Sequence, residues 1–100
     1  MLFRSLAAAQ QAGQPVALHF HADWCPTCRQ QTKVLQQFKA QGALPLTVLV
    51  VDYDQAKALR QSLQVRMQST LIVYKGARET ARLAGETAPE ALRSALQSAL

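Results

Sequence analysis

The chain has 100 residues, 49% of them apolar and 17% charged, which describes one globular domain over residues 1–100 and excludes a disordered chain. No apolar run approaches the roughly 20 residues of a membrane helix, so no membrane insertion is expected. The net charge of +5 is scattered, without a basic block or interleaved aromatics. That pattern points away from nucleic acid and towards a solvated basic surface, with at most a preference for acidic partners.

In chain order, Phe3 to Ala12 reads as a helix, with Phe3, Leu6 and Ala7 recurring at three and four; Gly13 and Pro15 stop it. Val16 to His21 reads as a strand apolar enough to be buried on both faces. Ala22-Asp23 turns into Trp24-Cys25-Pro26-Thr27-Cys28, and a helix follows to about Ala40 with Val34, Leu35 and Phe38 on one stripe. Pro45 to Asp52 is a second strand, β-branched and also expected to be buried. Two strands joined by a helix make a βαβ unit, so they should be parallel. Asp54 is the expected N-cap of a third helix, about Gln55 to Leu63. Thr70–Lys75 and Arg78–Ala84 form a hairpin around Gly76-Ala77, and a last helix starts near Thr87 or Ala88 with Pro89 in its first turn. Leu92, Leu96 and Ala99, with Ala95 alongside, should face the sheet. The expectation is an α/β domain with a four-stranded mixed sheet, strand order two-one-three-four, and helices on both faces.

Two cysteines three apart at a strand–helix junction point to a dithiol/disulfide site. The attacking group is a thiolate, so one cysteine needs a lowered pKa, and unpaired N–H groups at a helix start favour negative charge. Cys25, at the start of the helix, is the expected nucleophile. Cys28, one turn further in, is the expected resolving thiol, and Pro26 suits the first helical position. The loop between the cysteines is too short for their disulfide to matter as a staple. Half of a zinc site, with His19 or His21, and two inert buried cysteines are the competing readings.

These residues resemble the thioredoxin family. The resemblance runs from about residue 3 to 99. It is carried by the strand Val16–His21, by Ala22-Asp23-Trp24-Cys25-Pro26-Thr27-Cys28, by Val51-Asp52-Tyr53-Asp54, by Val65-Arg66 and by Lys75-Gly76. It implies a thioredoxin-like fold without the first strand of full thioredoxins. It also implies thiol–disulfide oxidoreductase activity on protein disulfides and dithiols with no cofactor and no metal, a reductase or membrane electron donor as partner, and a monomer. Trp24 would wall the site, and Pro26, Gln68, Ser69 and Thr70 would meet the substrate. Three positions depart from the family. Ser69 stands where a cis-proline is usual. A cis bond there would cost about 3–4 kcal/mol, so Gln68–Ser69 should be trans unless function strains it. His19 stands where a buried acid shuttles the proton of the second cysteine, and a histidine can do that work at neutral pH. Val50 stands where a lysine often accompanies that acid. His21 shares the face of His19, and Met67 is a candidate for the substrate groove. The rival class is a metal or iron–sulfur protein in which Cys25 and Cys28 of two chains bridge a dimer; a binding module with a spent redox site is a third reading. Met1-Leu2-Phe3-Arg4 has no leader pattern. That fits a cytoplasmic protein or an exported domain whose leader has been removed, and the run from Val16 to Cys28 leans periplasmic.

Overall fold

The computed structural model describes residues 2–42 and 46–100, with residues 2–5 as backbone alone. The elements are α1 (Leu2–Gln11), β1 (Pro15–His21), α2 (Pro26–Ala40), β2 (Thr47–Asp52), α3 (Lys57–Leu63), β3 (Thr70–Lys75), β4 (Arg78–Ala84) and α4 (Pro89–Gln97). The sheet order is β2-β1-β3-β4, as expected. β1 runs parallel to β2, with His19 opposite Val50, and antiparallel to β3, with Phe20 opposite Thr70. β3 and β4 form the hairpin, with a register shift between Val73 and Tyr74.

Alternation along β1 divides the core. Val16, Leu18 and Phe20 point to one face, where Leu6 of α1 and Leu59 of α3 cover them with Ile72 and Tyr74 of β3. Ala17 points to the other face, against Val34, Leu35 and Phe38 of α2, Leu71 and Val73 of β3, and Leu92, Ala95 and Leu96 of α4. Helices therefore cover both faces, and β1 is buried along almost its whole length. Each fully buried Leu, Ile or Phe contributes roughly 1.5–3 kcal/mol. Two of these buried layers converge on the C-terminal end of β1, where the chain enters the cysteine pair.

Three expectations are corrected. β2 is not buried on both sides: Thr47, Val50 and Asp52 are exposed, because β2 is an edge strand and its valines fit either place. The expected start at Pro45 lies outside the described residues. Asp54 does not cap α3, which begins at Lys57 after Ala56 and has no side-chain cap. The Asp52 carboxylate instead accepts the backbone N–H groups of Asp54 and Gln55, at 3.0 and 3.4 Å. On α1 the inward residue is Leu6, whereas Ala7 is exposed; the side chain of Phe3 lies outside the described residues.

Candidate active site

Cys25 is the N-cap of α2. Its backbone is extended (φ −97°, ψ 111°), and its Sγ accepts the backbone N–H of Cys28 at 3.1 Å. A serine or aspartate oxygen usually holds that place; here it is held by the sulfur. Pro26 follows at the first helical position and is exposed. The helix start thus aims a backbone N–H at Cys25 Sγ.

Cys28 is fully buried, and its thiol lies 3.9 Å from the carbonyl of Phe20. Burial first, and then the neighbouring Cys25 sulfur, pushes the Cys28 thiol up to about 11. Both cysteines are free thiols. Cys25 is only 2% exposed, but its neighbours on both sides, Trp24 and Pro26, stand in solvent, so it lies just beneath the surface. Ala22 and the half-buried Tyr53 complete its apolar setting.

Trp24 is 57% exposed, and its Nε1–H donates to Asp54 Oδ2 at 2.7 Å, which fixes the indole beside the pair. A cleft of about 400 Å³ adjoins it, lined by His21, Asp23, Val50 and Asp52 among others. His21 is half-buried. Its Nε2–H donates to Asp23 Oδ1 at 3.1 Å, and its Nδ1 lies 3.3 Å from the Thr32 hydroxyl.

The loop before β3 closes the other side. Gln68–Ser69 is trans, and Ser69 adopts φ +62°, a left-handed conformation that costs a residue other than glycine about 1–2 kcal/mol. Several hydrogen bonds hold it there. Ser69 N–H donates to Phe20 O at 2.9 Å, and Ser69 O accepts from Gly85 N–H at 3.0 Å. The Ser69 hydroxyl donates to the carbonyl of Gln68. The Thr70 hydroxyl turns inward to Met67 O at 2.8 Å, and Met67 is exposed.

His19 lies at the expected depth, 1% exposed, and burial holds its imidazole below the ordinary 6.5. Its Nε2 is 2.9 Å from Gln31 Oε1. Gln31, which the sequence reading did not single out, lies beside these residues, as do Tyr53 and Asp54, which it named only for the resemblance and, for Asp54, as a helix cap. A signal for Gln31 was available: Cys28, Gln31, Leu35 and Phe38 recur at three and four, the spacing of one buried stripe.

The thioredoxin family model matches residues 4–98. The chain belongs to the thioredoxin family. It is 32% identical over 92 residues to the thioredoxin of Alicyclobacillus acidocaldarius subsp. acidocaldarius, which covers 92% of this chain and 88% of that protein. With the thioredoxin of Mycobacterium tuberculosis strain H37Rv the identity is 31% over 81 residues, covering 81% and 70%. Among solved structures, Trxlp from Edwardsiella tarda EIB202 superimposes with a TM-score of 0.84 at 39% identity, covering 93% of this chain and 91% of that one. Thioredoxins are thiol:disulfide oxidoreductases, and this chain is a thiol:disulfide oxidoreductase of that family. Among the described residues no helix is long and apolar enough to cross a membrane.

Proposed function

We propose that this thioredoxin-family protein exchanges disulfides with extended protein substrates through Cys25 and Cys28. The asymmetry of the two sulfurs carries the reading: one caps a helix and accepts a backbone N–H, the other is buried and keeps its proton. The Cys25 thiolate attacks a substrate disulfide. A Cys25–substrate bond forms, the substrate S–S bond breaks, and the released thiolate takes up a proton. Cys28 then gives up its proton and attacks Cys25 Sγ. The Cys25–Cys28 disulfide forms, and the second substrate thiolate leaves and is protonated. Two electrons pass to the substrate, and a reductase or membrane electron donor restores the dithiol. Trp24 and Pro26 border the attacking sulfur, and Gln68, Ser69 and Thr70 form the opposite wall, where an extended segment would lie.

The bridging-metal reading requires both sulfurs to reach a second chain, and Cys28 is wholly covered. Within one chain, no three ligating side chains converge among the described residues. The exchange reading is therefore preferred, with the protein acting as a monomer.

The test is trapping. Cys28→Ser should accumulate a mixed disulfide with a reduced-and-reoxidised protein substrate, detected by mass spectrometry at Cys25. Cys25→Ser should trap nothing and lose insulin reduction. The proposal fails if the wild type reduces insulin while Cys28→Ser forms no adduct at Cys25. Visible absorbance with stoichiometric metal in the purified protein would favour the bridged dimer.

A further inference from the structure

Gln31 is wholly buried, and a buried amide needs partners. Its Nε2 lies 3.0 Å from Ser69 O and 2.8 Å from Glu86 O. Both are carbonyls and can only accept, so the NH2 group must face them and Oε1 must face His19. That orientation settles the histidine: Nε2 carries its proton and donates to Oε1 at 2.9 Å. One side chain thereby ties β1, the loop before β3 and the link between β4 and α4 to α2.

The loop needs such a tie. Ser69 sits at φ +62° without the glycine that conformation favours, and without a proline to stiffen the backbone. It also lies against the reacting pair. Ser69 N–H and the Cys28 thiol share the Phe20 carbonyl. These bonds lie in a low-dielectric interior, where losing them strands the His19 Nε2–H, takes from the Glu86 carbonyl its Gln31 donor, and leaves Ser69 O to Gly85 alone.

We propose that Gln31, oriented by His19, is a positioning residue that fixes the Gln68–Thr70 loop opposite Cys25–Cys28 and so sets the affinity for protein disulfides. His19 then serves the site through Gln31. The inference rests on the exchange reading above, since it assigns the loop to substrate binding.

The experiment uses Gln31→Met, which keeps the volume and removes all three bonds. Reduction of insulin is compared with reduction of the small aromatic disulfide 5,5′-dithiobis(2-nitrobenzoate), which is too short to span the loop. The kcat/KM on insulin should fall about tenfold, mostly through KM, and by at least about fivefold more than on the small disulfide, the size of one or two buried hydrogen bonds. Amide exchange of Ser69 and Gly85 should accelerate about tenfold or more relative to Leu18 and Ile72 in the sheet. Equal losses on both disulfides, or unchanged exchange at Ser69 and Gly85, would overturn the assignment. If Gln31→Met does not fold, Gln31→Asn is used, whose shorter amide cannot reach both carbonyls; the same outcomes decide. A wild type that reduces neither disulfide would sink the exchange reading instead, and the exchange rates would still judge Gln31.

Discussion

At neutral pH the Cys28 thiol keeps its proton, because burial and then the Cys25 sulfur push it up to about 11 from 9.0. This has a thermodynamic consequence for the reduced protein. Between about pH 9 and 11 the unfolded chain has already lost that proton, while the folded chain still holds it. The folded state binds more protons there, so stability falls as pH rises through this window and levels above it. Urea midpoints of the reduced protein measured from pH 8 to 11 should decline, and Cys28→Ser should flatten the decline. A slope unchanged in Cys28→Ser would mean that another group is responsible. His19 is shifted by the same cause with the opposite sign: burial disfavours its charged form, so the ring stays neutral and its Nε2–H remains available to Gln31. Ser69 is the residue whose identity is most tightly bound to its backbone. Proline holds φ near −65° and has no N–H, whereas this position needs φ +62° and donates to Phe20. The family's usual residue therefore cannot be restored here by a single change without rebuilding the loop.

At the scale of elements, α2 begins at a sulfur rather than at a hydroxyl or carboxylate. Because Cys25 Sγ occupies the N-cap position, replacing it tests the cap and the chemistry separately. Cys25→Ser should remove activity yet keep a capping atom, leaving the stability of the reduced protein within about 0.5 kcal/mol. Cys25→Ala should cost about 1 kcal/mol, the usual price of a lost cap, read as a lower urea midpoint. If the two variants are equally stable, the sulfur does not cap the helix. Most element boundaries could be read from the sequence, because Gly13, Pro15, Gly76 and Pro89 punctuate runs of clear period. The N-cap of α3 could not be read. Asp52 and Asp54 are both plausible caps by type, and only the fold shows one tying the turn and the other holding the Trp24 indole. Gln31 escaped for a related reason: a polar residue on a helix reads as solvated unless its partner, twelve residues away at His19, is already in place.

For the whole molecule, strand order was legible, since a βαβ unit followed by a hairpin leaves little choice. Burial of the strands was less so. β1 and β2 are both mostly apolar, yet one is central and the other lies at the border of the sheet. The two borders are guarded differently. β4 carries exposed Arg78, Glu79 and Arg82, and the last two are paired at 2.8 Å. β2 presents Thr47, Val48, Leu49 and Val50 before any charge appears, pairs only with β1 among the described residues, and leaves Val50 64% exposed. Charges on an edge strand oppose pairing with another chain. Val50→Lys should therefore alter stability by no more than about 0.5 kcal/mol while reducing light scattering in concentrated, warmed solution. Scattering equal to that of the wild type would clear this strand. A sheet with one guarded and one bare margin has a direction of growth. The shelf life of the protein in storage would then be governed by a short uncharged ribbon at the bare margin.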